Sequence, residues 1–154
     1  MNTIVSDELQ TYVREVIINY RGPKRKAPPI TNPHAVSEFL RHCRVDNARE
    51  HFIVIFLNHA KSIIGYSVAG IGTQNSCSVN PAELYQKAVL LGAGSIIIAH
   101  NHPSGGLEPS QADIAVTKQI KAAGELLGIP LLDHIIFTEE CFVSFQEKGL
   151  LSVC

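Results

Sequence analysis

The sequence predicts an α/β chain of the layered (α+β) kind, in which helices flank a mixed β-sheet. Three observations lead there. Segments of helical period alternate with apolar, β-branched runs along most of the 154 residues. One such run, Ser95-Ile96-Ile97-Ile98-Ala99, is almost wholly apolar and lies between two amphipathic segments, as a strand covered by helices does. A hydrophobic content of 45% at this length is enough to build one sizeable core. The expected division is an N-terminal strand and basic, proline-rich linker over residues 1–29, followed by a single globular domain over residues 30–154.

The elements follow in chain order. Residues 12–20 satisfy both the helical and the strand period, and the β-branched content favours a strand. Arg21-Gly22-Pro23-Lys24-Arg25-Lys26-Ala27-Pro28-Pro29 breaks regular structure and sets four basic side chains within six positions. A solvated connection is the favoured reading of this segment, and a phosphate-binding or partner-binding patch the alternative. Asn32-Pro33 caps a short helix ending near Cys43, with Ala35, Val36, Phe39 and Leu40 on its apolar face. Residues 50–57 read as a strand, and Asn58-His59-Ala60-Lys61 turns it into a second strand over residues 62–72. Pro81 opens a helix carrying Leu84, Tyr85, Ala88, Val89 and Leu91, stopped by Gly92 and Gly94, and the run 95–99 follows as a buried strand. Ser110 begins the next helix, which Gly128 and Pro130 end. Residues 131–138 and 141–145 supply the last two strands.

Composition removes several function classes. Thirteen Lys plus Arg against 14 Asp plus Glu give a net charge of -1, so no global basic field holds a nucleic acid duplex. No apolar stretch approaches the roughly 20 residues of a membrane helix, and the first residues do not read as a signal peptide. The expectation is a cytoplasmic protein with no membrane partner. The four cysteines, Cys43, Cys77, Cys141 and Cys154, form no Cys-x-x-Cys pair and read as buried or incidental thiols. That also excludes a zinc nucleobase deaminase, which requires a Pro-Cys-x-x-Cys segment.

The chemistry is concentrated at residues 100–113. His100 and His102 follow directly from the buried strand, and side chains two positions apart in extended backbone face the same side. Both imidazoles can therefore converge on one ion. A catalytic zinc takes three protein ligands and keeps a fourth position for water, so a carboxylate should complete the set. Asp113, in the first turn of the following helix, is the candidate, and Gly105-Gly106 lets the intervening loop fold that turn back. The structural alternative is that Ser110-x-x-Asp113 is a helix cap worth about 1 kcal/mol and His100 a hydrogen-bonded core histidine. Capping and metal binding are compatible, and capping alone leaves the paired histidines beside a glycine-rich turn unexplained. A metal site is the favoured reading.

His100-Asn101-His102-Pro103-Ser104-Gly105, continued by Pro109-Ser110-x-x-Asp113, resembles the JAMM metalloprotease motif in the form carried by the RadC family. Further resemblances run from about Tyr12 to Leu150: Glu50-x-Phe52 leading into Leu57-Asn58, Gly70-x-Gly72-Thr73, and Asp133-His134-Ile135-Ile136. The resemblance implies a JAB/MPN domain of cytidine-deaminase-like architecture. It also implies one Zn²⁺ per chain held by His100, His102 and Asp113, with water as fourth ligand. Glu50 would be the general base, a role that spacing alone does not assign, since locally it reads as a charged residue at a strand edge. Ser110 would hydrogen-bond the oxyanion, a role worth about 3 kcal/mol for one such donor. Asp133 and His134 are left outside the catalytic set: they either orient a metal-bound histidine, bind substrate, or are satisfied polar groups of a neighbouring strand. Asn101 departs from the Ser or Thr between the histidines of deubiquitinating JAMM enzymes, which makes ubiquitin a poor substrate guess. The letters His-Asn-His are unrelated to HNH nucleases, whose residues are separated along a ββα motif.

The favoured function is a zinc hydrolase cutting a peptide or isopeptide amide with a Glu-activated, zinc-bound water. A DNA-repair-associated module is a second reading, suggested by the RadC label and the basic segment 21–26. No helix-hairpin-helix region of the kind found in the family's larger members is expected here to support it. A non-catalytic MPN interaction scaffold ranks third, because all the metal ligands are present. The peptide or protein substrate is unspecified, and a homo-oligomer is compatible with the edge strands and apolar helix faces.

Overall fold

Seven of the eight residues of Glu50–Leu57 (β1) are buried, because this strand lies inside a sheet covered on both faces. The computed structural model describes residues 29–43, 45–72 and 79–153, and residues 17, 19, 21 and 27 besides. Most of the expected N-terminal strand and basic linker, with Thr73, Cys77 and Cys154, therefore lies outside the described residues. Within them the order is α1 (Pro33–His42), β1, β2 (Ile63–Gly72), α2 (Pro81–Leu90), β3 (Ser95–Asn101), α3 (Gln111–Leu127), β4 (Leu131–Phe137), β5 (Phe142–Ser144) and α4 (Leu150–Val153). The expected elements from residue 32 onward are all found, with ends shifted by a residue or two. The four-residue α4 is added at the end of the chain.

The strands form one sheet in the order β2-β1-β3-β4-β5. Only β3 and β4 are parallel, and α3 makes the crossover between them. The hairpin expected at residues 58–61 forms, with Lys61 at φ 59 in its turn. Alternation sorts the strand residues onto two cores. Phe52, Val54, Phe56, Ile96 and Ile98 pack beneath α2 and α3 with Leu84, Tyr85, Ala88 and Ile120. Ile53, Ile55, Leu57, Ile97, Ala99 and Ile135 pack beneath α1 with Val36 and Leu40. Three of the four helices begin on a side-chain cap: Asn32 and Asn80 accept from backbone N–H groups and are followed by the prolines that the sequence marked as helix starts, and Ser110 caps α3. Gly128 ends α3 at φ 70, in the left-handed region that a side chain disfavours.

This topology decides where a site can form. Because β1 and β3 are antiparallel, the start of β1 lies beside the end of β3. Because α3 crosses over from the end of β3, its N-terminus returns to the same place, at the carboxyl end of the parallel pair.

Candidate metal centre

His100 is the last β3 residue paired with β1, and it points to the face covered by α3, where it is completely buried. Two residues on, His102 has left the strand and is half-buried. The loop that follows turns at Gly105, φ 79, and its Gly106 carbonyl accepts a hydrogen bond from His102 Nδ1 at 2.7 Å. At the start of α3 the Ser110 hydroxyl accepts from the Asp113 N–H at 3.1 Å, and Asp113 Oδ2 accepts from the Ser110 N–H at 2.7 Å. This reciprocal box fixes the Asp113 carboxylate, whose Oδ1 lies 3.2 Å from His100 Nε2 and whose Oδ2 lies 3.7 Å from His102 Nε2. The two imidazole Nε2 atoms are 2.9 Å apart. The ligand atoms of His100, His102 and Asp113 all lie within 4.8 Å of one another, so the expected trio is brought together.

The proton positions follow from a chain of buried hydrogen bonds. A carbonyl only accepts, so the Thr117 hydroxyl gives its proton to Asp113 O, 2.5 Å away and one turn earlier on α3. Thr117 Oγ1 then offers only lone pairs to His134 Nδ1 at 2.6 Å, and that nitrogen carries the proton. His134 is completely buried, and burial above all holds it well below its ordinary pKa, so it is neutral and its Nε2 is a lone pair. That lone pair accepts from His100 Nδ1 at 2.8 Å. His100 is left with an unprotonated Nε2, and His102, its Nδ1 proton held by Gly106, is left with the same.

Two imidazole lone pairs and a carboxylate thus face each other with no donor between them. Such a set requires positive charge at its centre, and nitrogen, nitrogen and oxygen at this separation suit a small divalent cation. Without one, a proton takes its place. The hydrogen bond with Asp113 raises the His102 pKa against the opposing effect of burial, aided by the Gly106 carbonyl and by the charges of Asp113 and Glu50. Burial opposes ionisation of Asp113, yet its contacts with the His100 and His102 imidazoles outweigh it and hold the carboxyl far below its usual range.

Glu50 arrives from the neighbouring strand. Phe52 pairs with His100 and its ring lies parallel to the imidazole, centroids 6.0 Å apart. Glu50, two residues before Phe52, lies on the same face of β1, and its charge acts on His102. Ser110 is exposed at the mouth of the cluster; its oxygen serves as helix cap while its proton has no acceptor among the described residues. The pair Asp133 and His134 divides. His134 is in the hydrogen-bonded chain, whereas Asp133 faces the other way and accepts from Ser144 Oγ and from the N–H groups of His134 and Gln146, tying β4 to β5. Thr117 was not singled out by the sequence reading, although its place four residues after Asp113 puts it on the same helix face. The two described cysteines stay outside the site: Cys43 is half-buried with its thiol pushed up to about 11 by burial, and Cys141 is exposed. Of the basic segment, residues 22–26 lie outside the described residues. No described helix is long and apolar enough to cross a membrane.

The family model described as "RadC-like JAB domain" matches residues 30–150. A UPF0758 protein of Shouchella clausii is 38% identical over 132 residues, which are 86% of this chain and 57% of that protein. A UPF0758 protein of Aquifex aeolicus is 39% identical over 137 residues, 89% of this chain and 58% of that one. A third, from Bacillus licheniformis, is 45% identical over 104 residues, 68% of this chain and 46% of that one. The chain spans about half the length of the curated relatives it matches.

Proposed function

The chain belongs to the RadC family of JAB domains, and on that premise we propose that it is a zinc-dependent hydrolase that cleaves a peptide or isopeptide amide. One observation carries the reading: the Nε2 atoms of His100 and His102 and the Asp113 carboxylate converge within 4.8 Å of one another, at the end of β3 that lies beside the start of β1. Zinc held by these three residues supplies Lewis acidity that brings the ionisation of a water into the neutral range.

Glu50 takes the proton released as that water attacks the substrate carbonyl carbon, and returns it to the amide nitrogen as the C–N bond breaks. A carboxylate is a competent carrier because the proton moves over a single hydrogen-bond length in each direction. The Ser110 hydroxyl donates to the carbonyl oxygen as it gains negative charge, its own oxygen remaining the acceptor for the Asp113 N–H. The buried His134 and Thr117 keep His100 in one orientation throughout.

The first test is elemental analysis of untagged protein, comparing the native chain with His102→Ala and Asp113→Ala. About one zinc per chain, lost in both variants, is expected. No zinc in the native chain, even after reconstitution, refutes the metal reading. With zinc in place, cleavage across a panel of peptides and isopeptides should be lost in Glu50→Gln while the metal stays. A panel that is never cleaved, with zinc bound, would remove the hydrolase and leave a metal-binding domain.

A further inference from the structure

We propose that Asn101 is a positioning residue for Glu50, holding that carboxylate within electrostatic reach of His102 by gripping the two peptide groups on either side of it. The inference rests on the hydrolase reading above and on a feature that reading leaves unused, the residue between the two histidines.

β1 and β3 pair as far as Phe52 and His100. Beyond that point β3 stays with β4: Asn101 pairs with Phe137, and the His102 N–H donates to the Phe137 carbonyl at 3.2 Å. The backbone at the start of β1 has therefore lost its ladder partner on that side. The Asn101 side chain takes over. Its Oδ1 accepts from the His51 N–H at 2.7 Å, and its Nδ2 donates to the Arg49 carbonyl at 2.9 Å. Asn101 is 1% exposed, so its bond to His51 forms away from water while the bond to Arg49 lies at the edge of the buried region.

The chemistry explains the residue type. An asparagine amide has the same carbonyl and N–H groups as a peptide unit, so it continues a β-ladder for one step after the backbone has turned away. A serine hydroxyl is shorter and carries one proton, so it does not span both groups. The bonded residues are 49 and 51, one on each side of Glu50, and together they fix the backbone from which the carboxylate projects. On its other edge β1 pairs Glu50 with Gly72, but that ladder shifts register between Phe52 and Ile53 and specifies the position less firmly. Asn101 lies on the opposite face from His100, and neither of its bonds involves His100, His102 or Asp113 side chains, which keep their own partners in His134, Gly106 and Ser110. The bridge therefore governs the base and leaves the metal ligands intact.

The test is a double-mutant cycle on zinc affinity in the full chain, measured by chelator competition, with His51 amide exchange followed by NMR. In the native background Glu50→Gln removes a carboxylate beside the cation and should weaken zinc binding about tenfold. In Asn101→Ala the same change should matter by about twofold or less, because the carboxylate is no longer held there. The His51 amide should exchange about tenfold faster in Asn101→Ala. Asn101→Ser serves as the milder variant should Asn101→Ala fail to fold, with the same loss of coupling expected. An equal Glu50→Gln factor in both backgrounds, as a purely structural Asn101 would give, overturns the proposal. So does a Glu50→Gln change without effect in the native background, and so does an unchanged His51 exchange. If no form binds zinc, the hydrolase reading falls and this role falls with it; zinc bound without coupling defeats the Asn101 role alone.

Discussion

At the scale of single residues, function depends on which nitrogen carries a proton. His100 presents Nε2 to the site because His134 accepts from its Nδ1, and His134 accepts because Thr117 has already given its proton to the Asp113 carbonyl. Thr117→Val breaks that order without changing side-chain size much. Zinc affinity should drop roughly 10–100-fold while the fold persists, as judged by chelator competition and circular dichroism. An affinity within threefold of native would show that His100 finds its tautomer unaided. His134→Ala goes further, leaving the His100 Nδ1 proton buried without an acceptor, and should lower both zinc affinity and thermal stability.

At the scale of elements, helix α3 combines a structural end with a chemical one. The Ser110–Asp113 box starts the helix and aims the Asp113 carboxylate in the same two bonds. Ser110→Ala should cost about 1 kcal/mol in urea unfolding through the lost cap. It should also reduce turnover about 100-fold or more through the lost oxyanion donor, with zinc still bound. A stability loss with unchanged turnover would assign Ser110 to capping alone. At the other end Gly128 holds φ 70, and Gly128→Ala should destabilise the apo chain by about 1 kcal/mol with no change in the zinc site. The strands show what burial on both faces does: β1 and β3 are continuous apolar runs, while β2, at the sheet edge, leaves Tyr66, Val68 and Ile71 exposed.

At the scale of the whole molecule, the proposed metal would compete with a proton for one site, and this fixes the sign of a pH dependence. The His102 pKa is raised in the folded chain, so without metal its contribution to stability is complete below its unfolded pKa and fades as pH rises through the folded value. Asp113 is depressed, so its contribution is present above its unfolded pKa and is lost as pH falls through the lowered value. The metal-free chain should therefore lose part of this stabilisation from mildly acidic to alkaline pH. Zinc binding must expel the His102 proton and strengthens in the same direction. The difference in melting temperature between zinc-loaded and chelator-treated protein should widen from about pH 5 to about pH 8 in calorimetry. A difference that stays flat or narrows would mean that His102 is not displaced from its proton by the metal.

Local chemistry determined a large part of this protein from sequence alone. Caps at Asn32 and Ser110, the helix-opening Pro81, stops at Gly92 and Gly128, and apolar runs at 50–57 and 95–99 each act over a few neighbouring residues, and the elements from residue 32 onward follow from them. The trio of His100, His102 and Asp113 was legible for the same reason, since one strand end, one loop and one helix start hold it. Tertiary structure alone decided what meets that trio from a distance. Glu50 comes within electrostatic reach of His102 because β1 and β3 are antiparallel, which sets the start of one beside the end of the other. His134 reaches His100, and Asp133 does not, because β4 runs parallel to β3 with His134 on the α3 side. Asn101 grips the backbone around Glu50 because the ladder between β1 and β3 ends one residue earlier, at His100. Spacing along the chain carries no record of strand order or register, because these are fixed when two cores are buried on opposite faces of one sheet.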